Sequence, residues 1–178
     1  MAKNKPLIIK ILVPTLIVAI IVGIFIMKNM QNSPSVIDGD NRTDKSFSLK
    51  ITSVDLEEIK QYGVPTVIDF GSDSCIPCKQ MAPVLETLNS EWQGKAAVQF
   101  MDVWEYTEGV DKFPIQVIPT QVFFNADGTP FVPSDSLALK VQFDMYSDKV
   151  SNEHIFTVHQ GGITEEEMRQ IFAEMGVE

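Results

Sequence analysis

The 178-residue chain contains only two cysteines and two histidines, and it has no internal repeat. Two cysteines cannot form a framework of several structural disulfides. The chain also lacks an HExxH motif and a Gly-rich phosphate loop, which excludes the commonest zinc-hydrolase and nucleotide sites. His154 and His159 have no partner at metal-ligand spacing, so we predict that both are structural or surface residues. No metal or other cofactor is predicted.

Positive charge is scarce and unevenly placed. The only charged residues among the first 28 are four lysines, which leaves 10 basic and 24 acidic side chains in the rest of the chain. An acidic surface of this kind is repelled by phosphate backbones and by anionic head groups. We therefore predict no nucleic-acid partner.

Residues 7–27 are nearly all apolar and are long enough to span a bilayer as a helix. The run exceeds a usual signal-peptide core, residues 28–31 offer no small-x-small cleavage site, and no cysteine follows for lipid attachment. We predict an uncleaved membrane anchor over 1–28, with a cleaved signal peptide as the alternative. Lys3, Lys5 and Lys10 place the N-terminus in the cytoplasm, so the remaining chain is predicted to be extracytoplasmic.

Residues 29–46 are polar and rich in turn formers, which predicts a flexible stalk. Residues 47–178 are long enough for one domain of ordinary size. The apolar patterns predict strands around 47–51 and over 64–70, 96–103, 121–124, 139–143 and 155–158, of which the strand over 64–70 is buried and the first is half-buried. They predict a helix capped by Ser53 and running to about Tyr62, a helix from Cys78 to Trp92 with Pro83 inside it, and a short helix over 108–113. A Thr164–Glu167 capping box begins the last predicted helix.

Both cysteines lie where the buried strand of residues 64–70 gives way to a helix. A thiol in the first turn of a helix is close to free backbone N–H groups and to the positive end of the helix dipole, which favour the thiolate. Cys78 follows Cys75 by three residues and shares its helix face, so the pair can close an intramolecular disulfide. Thiolate is the form that attacks other disulfides.

The order of several short motifs resembles the thioredoxin family. A strand ends in Asp69-Phe70, Cys75-Ile-Pro-Cys78-Lys opens a helix containing a proline, and Ile118-Pro-Thr precedes an apolar strand about forty residues later. The match runs from Phe47 to Asp127 and resumes at Gly161. It implies an α/β protein with the thioredoxin fold, a central mixed β-sheet flanked by helices, and thiol–disulfide exchange as the reaction.

The resemblance also implies roles for individual residues. Cys75 corresponds to the exposed nucleophile and Cys78 to the buried resolving thiol. Asp69 corresponds to the buried carboxylate that helps to deprotonate the second cysteine, although a strand-end aspartate bonded to backbone is an alternative. Pro119 corresponds to a cis-proline that packs against the disulfide.

Two further residues are predicted to bind substrate. The backbone of Ile118, just before the cis-proline, corresponds to the segment that pairs with an extended substrate. Pro77 lies between the cysteines, where it also suits the first turn of a helix because its missing N–H leaves no hydrogen bond unmade.

Three positions depart from the family pattern. Gly71 stands where a tryptophan is common, Ser74 where an aromatic residue usually precedes the first cysteine, and Phe100 where a lysine often accompanies the buried aspartate. These departures predict a smaller, more polar rim around the cysteines and a raised pKa for Asp69. The segment over about 129–153 is an insertion, predicted either to present a partner-specific surface or to extend the edge of the sheet.

The leading interpretation is a membrane-anchored, extracytoplasmic thiol–disulfide oxidoreductase that reduces protein disulfides and is recharged by a membrane-embedded electron donor. The position of Pro77 favours a reductase. A disulfide-donating oxidase or isomerase would use the same residues. Two other classes stay open: a carrier of a soft metal such as Cu(I), and a non-catalytic module that presents the insertion to a partner.

Overall fold

The computed structural model describes residues 46–178. The predicted membrane anchor over 1–28 lies outside the described residues, as does all but the last residue of the predicted stalk over 29–46. Both stay predictions. Within residues 46–178, no helix is long and apolar enough to cross a membrane.

The described part of the chain alternates strands and helices. The strands are β1 (Lys50–Ile51), β2 (Thr66–Gly71), β3 (Ala97–Asp102), β4 (Thr120–Phe124), β5 (Asp144–Ser147) and β6 (His154–Gln160). The helices are α1 (Leu56–Ile59), α2 (Ile76–Glu91), α3 (Asp135–Ala138) and α4 (Glu165–Glu174), with a 3₁₀ turn at Val110–Lys112.

The strands form one mixed sheet in the order β1-β3-β2-β4-β6-β5. β1, β3 and β2 are parallel, whereas β2, β4, β6 and β5 pair antiparallel in turn. Every residue of β2, β3 and β4 is buried, as expected for central strands covered on both faces. This architecture is the predicted thioredoxin fold.

Each face of the sheet packs against its own hydrophobic cluster. Successive side chains of a strand point to opposite faces, so Val67 joins the cluster formed with α2 and α4, and Ile68 joins the opposite one. By the same alternation, Asp69 points to the face that α2 and α4 cover. The buried carboxylate and the helix that carries the cysteines therefore share one side of the sheet.

Helix starts follow the capping residues. α4 has the predicted capping box of Thr164 and Glu167. The prediction that Ser53 caps the first helix is wrong: Asp55 is the N-cap, because its carboxylate accepts hydrogen bonds from the N–H groups of Glu57 and Glu58. The helix is correspondingly short and ends at Ile59.

The prediction of a strand over 139–143 is also wrong. Ser134 caps α3 by accepting a hydrogen bond from the N–H of Leu137, and Leu137 and Val141 are both buried against the cluster that includes α2 and α4. That spacing of four is helical, and Leu139 between them is 89% exposed. The strand of this segment is β5 instead, which pairs with β6 and forms the last strand of the sheet.

Candidate active site

The two cysteines lie at the start of α2 and are joined by a disulfide. Cys75 is the N-cap residue of α2, and the backbone N–H of Cys78 donates to the Cys75 sulfur at 3.3 Å. Their Cα atoms are 5.3 Å apart, within the range that a disulfide requires. The first sulfur therefore lies at the positive end of a 16-residue helix, where a thiolate released by reduction is stabilised.

The sulfur atoms are less accessible than the resemblance implied. Cys75 is 9% exposed and Cys78 is 3% exposed in this disulfide form. The expectation of an exposed Cys75 is therefore wrong for the oxidised state, because the sulfur is held between the helix start and the 118–119 loop. The neighbouring Ile76 is 72% exposed, so the surface beside the disulfide is open although the sulfurs themselves are not.

The predicted substrate-binding loop lies against the disulfide. The Ile118–Pro119 peptide bond is cis, as the resemblance implied. The carbonyl oxygen of Ile118 is 3.9 Å from the Cys75 sulfur. Pro77 lies in the first turn of α2. The structure thus brings Cys75, Cys78 and the 118–119 loop together.

Asp69 is completely buried beneath this centre, and within residues 46–178 one side chain donates a hydrogen bond to it. The side-chain amide of Gln121 donates to Asp69 Oδ1 at 2.7 Å. Asp69 Oδ2 has no hydrogen-bond partner among the described residues. Burial raises the pKa of Asp69 to about 7, and the Gln121 hydrogen bond acts in the opposite direction. The alternative of a strand-end aspartate bonded to backbone does not hold here.

Gly71 lies between Asp69 and the Cys78 sulfur. A Cβ atom placed on Gly71 would lie 3.2 Å from the Cys78 sulfur and 3.4 Å from Asp69 Oδ2, so both atoms face the same point. The same Cβ would lie 2.8 Å from the Phe100 ring, closer than a carbon atom can approach. Two departures from the family pattern, Gly71 and Phe100, therefore depend on each other: the phenyl ring occupies the volume of a larger side chain at Gly71.

Sequence reasoning missed Asp102, which fixes the loop leading into the first cysteine. Its carboxylate accepts hydrogen bonds from the backbone N–H groups of Asp73 at 2.8 Å and Trp104 at 2.9 Å. Burial opposes ionisation of Asp102, but these backbone donors, together with the Ser72 side chain, lower its pKa. The available signal was an aspartate ending β3 opposite Gly71 in the parallel pair.

The rim of the site retains apolar surface despite Gly71 and Ser74. Trp104 follows β3 at the same end of the sheet as the disulfide and is 65% exposed. Val117, next to the loop that contacts Cys75, is also exposed. Trp104 thus supplies exposed aromatic surface at this end of the sheet from a different segment of the chain than Gly71 and Ser74. The smaller, more polar rim stays a prediction.

The two histidines hydrogen-bond to the protein's own groups. His154 Nε2 lies 3.0 Å from the Phe156 carbonyl oxygen, and His159 Nδ1 lies 2.9 Å from the Gln142 carbonyl oxygen. Over residues 46–178, no group of three or more histidine, cysteine or acidic residues is placed to hold a metal ion. His159 Nε2 is buried and has no hydrogen-bond partner among the described residues. The structural or surface roles of both histidines stay predictions.

Comparisons with known proteins agree with the motifs. The family model described as Thioredoxin matches residues 50–137. A thioredoxin of Staphylococcus aureus is 36% identical over 96 residues, which cover 51% of this chain and 90% of that protein. A thioredoxin of Staphylococcus haemolyticus is 38% identical over the same shares of the two chains. Among solved structures, chloroplastic thioredoxin z is similar at 21% identity with a TM-score of 0.49, over 73% of this chain and 95% of that one.

Proposed function

The chain belongs to the thioredoxin family and is a thiol–disulfide oxidoreductase with a Cys75–Cys78 pair, and from that premise we propose that it is a membrane-anchored, extracytoplasmic reductase of protein disulfides. The observation that supports this most strongly is the Cys75–Cys78 disulfide at the N-terminus of α2, in contact with the 118–119 loop. The apolar residues 7–27 and the lysines before them support the anchor and its orientation.

In the proposed first step, Cys75 acts as the nucleophile. The reduced Cys75 thiolate attacks one sulfur of a substrate disulfide, a new bond forms between Cys75 and the substrate, and the other substrate sulfur leaves as a thiolate. The N–H of Cys78 and the dipole of α2 stabilise the attacking thiolate. The backbone at Ile118, beside the Cys75 sulfur, is proposed to pair with the extended substrate.

In the second step, Cys78 resolves the mixed disulfide. Asp69 is proposed to accept the Cys78 proton, and the resulting thiolate attacks the Cys75 sulfur, forming the Cys75–Cys78 disulfide and releasing the second substrate thiol. Two electrons pass from the protein to the substrate. A carboxyl with a pKa near 7 suits this transfer, because it is substantially ionised at neutral pH and still basic enough to take a proton.

The oxidised pair must then be reduced again. We propose that a membrane-embedded dithiol carrier supplies the two electrons by the same exchange in reverse, since the anchor would keep the domain at the membrane. A disulfide-donating oxidase would use the same residues, so the reduction potential distinguishes the two directions. A value near that of cytoplasmic thioredoxin, about −270 mV, is expected for a reductase, whereas a value near about −120 mV would contradict it.

The direct test is to trap the mixed disulfide. Cys78→Ser is expected to accumulate covalent complexes with substrate proteins that dithiothreitol releases. The matched Cys75→Ser control should accumulate none. Because the chain has no third cysteine, a complex formed by Cys78→Ser must pass through Cys75. Equal trapping by both variants, or by neither, would contradict the assigned roles.

The orientation is tested separately on intact cells. A membrane-impermeant maleimide should label the reduced Cys75–Cys78 pair from outside, and the variant lacking both cysteines should give no signal. Labelling that appears only after lysis would place the domain in the cytoplasm and overturn the localisation without affecting the exchange chemistry.

A further inference from the structure

Four side chains form a continuous row across the middle of the sheet. In the strand registers, Phe100 lies opposite Asp69, Asp69 opposite Gln121, and Gln121 opposite His159. Residues directly opposite on neighbouring strands point to the same face, so this row lies under α2 and α4. The Asp69 carboxylate therefore has Gln121 as its neighbour on one side and the Phe100 ring as its neighbour on the other.

The orientation of the Gln121 amide is fixed by its surroundings. Its nitrogen lies 2.7 Å from Asp69 Oδ1, 3.2 Å from the Gly161 carbonyl oxygen and 3.5 Å from the Met81 sulfur. All three neighbours accept hydrogen bonds, so the nitrogen and not the oxygen must face them. Gln121 is completely buried, and its side-chain oxygen has no hydrogen-bond partner among the described residues.

The hydrogen bond reaches only one oxygen of the carboxylate. Gln121 holds Asp69 Oδ1, and Oδ2 is left on the side of Gly71, facing the space that it shares with the Cys78 sulfur. We propose that Gln121 is a positioning residue for the exchange reaction, which orients Asp69 so that its unpaired oxygen serves Cys78. This inference rests on the proposed function, in which Asp69 accepts the Cys78 proton.

Among the described residues, Gln121 is the one side chain that donates a hydrogen bond to Asp69. Phe100 offers no hydrogen bond, and Lys50 lies beyond it, 5.7 Å from the centre of the phenyl ring and paired with Asp73 at 2.7 Å. Besides His159, which ends the row, the titratable groups that face it are Cys78 from α2 and Glu167 of α4 near His159. None of them donates a hydrogen bond to Asp69 among the described residues. The amide alone opposes the effect of burial on its pKa.

The first test measures Asp69 directly in the oxidised full chain, kept in mild detergent, where neither cysteine titrates. The carboxyl ¹³C signal of Asp69 is assigned by its loss in Asp69→Asn and followed from pH 4 to 9. Gln121→Leu should move the midpoint upward by about one pH unit, the size expected for losing a hydrogen bond to a charged group. An unchanged midpoint would overturn the proposal.

Gln99→Leu is a matched control. Gln99 is also a buried glutamine of a central strand, but it lies opposite Ile68 in the register and therefore points to the other face of the sheet. Its replacement should leave the Asp69 midpoint where it is in the wild-type chain. If Gln121→Leu does not fold, Gln121→Met removes the same donor with an unbranched side chain of similar length.

The second test is a double-mutant cycle on the rate at which the reduced protein reduces insulin, measured from pH 5 to 9. Gln121→Leu should slow the reaction about three- to tenfold near pH 7 and recover towards pH 9, since more of the carboxyl is then ionised. In the Asp69→Asn background, Gln121→Leu should have no further effect. A loss that is equal at every pH, or that adds to that of Asp69→Asn, would overturn the proposal.

The two tests separate failure of the inference from failure of the proposed function. If Asp69→Asn reduces insulin as fast as the wild-type chain, Asp69 has no role in the reaction, and the positioning role of Gln121 falls with it even if the midpoint shifts. If Asp69→Asn is slow but Gln121→Leu changes neither the midpoint nor the pH profile, the proposed function stands and only the inference about Gln121 is wrong.

Discussion

Two buried aspartates on neighbouring strands have opposite acid–base behaviour. Asp69 lies inside β2 and Asp102 ends β3, two positions further along the same parallel pair. Both side chains are largely withdrawn from solvent. The pKa of Asp69 is raised to about 7, whereas that of Asp102 is lowered.

The two aspartates differ in depth and in hydrogen-bond donors: Asp69 is more deeply buried than Asp102, and fewer donors reach it. Asp69 receives one hydrogen bond, from an amide side chain, and one of its oxygens has no partner among the described residues. Asp102 is at a strand end, where the chain turns and backbone N–H groups that no strand pairs can point at its carboxylate. Donors that favour the charged form overcome burial at Asp102 and fail to do so at Asp69. The first arrangement suits proton transfer, and the second fixes a loop.

The largest expected effect comes from Asp69→Asn. The folded-state pKa of about 7 lies above the ordinary value of 3.8, so the folded protein binds a proton that the unfolded chain releases. The contribution of Asp69 to the free energy of unfolding should therefore fall as pH rises from about 4 to 7 and then level off. Asp69→Asn should lack this decline and be more stable at pH 8 by on the order of 4 kcal/mol, measured by urea unfolding of the oxidised chain.

The direction in which Asp69→Asn changes stability with pH tests whether Asp69 and Asp102 have opposite acid–base behaviour. A stability difference between Asp69→Asn and the wild-type chain that does not grow between pH 4 and 7 would show that Asp69 is ionised readily when buried. The insulin-reduction rate measured on the same samples should move the other way, since a more stable variant would lack the proposed proton acceptor.

Asp102→Asn should have the opposite sign. Because the pKa of Asp102 is lowered on folding, its carboxylate stabilises the protein above pH 4, and that stabilisation is lost as pH falls through the folded-state pKa. The variant should be less stable than the wild-type chain by about 2 kcal/mol at pH 7, the range for hydrogen bonds to a charged group. The difference in urea midpoint should shrink below pH 4. A constant difference across that range would instead indicate a loss of packing.

The fold was predictable from the sequence wherever an element has a strong local signal. The buried strand is a largely apolar run, and the helix carrying the cysteines and α4 each combine helical periodicity with a cap. The strand predicted within residues 129–153 was placed wrongly, because the apolar residues of this segment belong to two different elements. Leu137 and Val141 pack as a helical pair. In β5, which pairs with β6, Tyr146 packs against the opposite cluster while Met145 is exposed.

The site was predictable only through residues close in sequence or fixed by resemblance. Cys75, Cys78 and Pro119 belong to short motifs, so their positions could be stated in advance. Gln121 and Asp102 become significant only through the strand register. It places Gln121 next to Asp69, 52 residues away in the chain, and Asp102 opposite Gly71, 31 residues away. No local pattern marks a glutamine as the partner of a distant aspartate.

A third prediction concerns the close approach of Gly71 and the Phe100 ring. Gly71→Ala should destabilise the protein by about 1 to 2 kcal/mol, because the added Cβ would lie 2.8 Å from the Phe100 ring. In a Phe100→Leu background the same change should have a much smaller effect on the urea midpoint, since the interfering ring carbon is gone. If the two effects simply add, Gly71 and Phe100 are independent, and the phenyl ring does not limit the size of the side chain at residue 71.

The smallest expected effect is at Trp104, whose backbone and side chain act separately. Its N–H fixes the Asp102 carboxylate, while its ring is 65% exposed at the disulfide end of the sheet. Trp104→Ala keeps the N–H, so the stability difference between pH 3 and 7 should match that of the wild-type chain. Loss of the ring should raise KM for a protein disulfide by a few-fold, about 1 kcal/mol of contact energy, and leave reduction of a small disulfide unchanged. An equal loss for both substrates would mean that the ring supports the loop rather than contacting substrate.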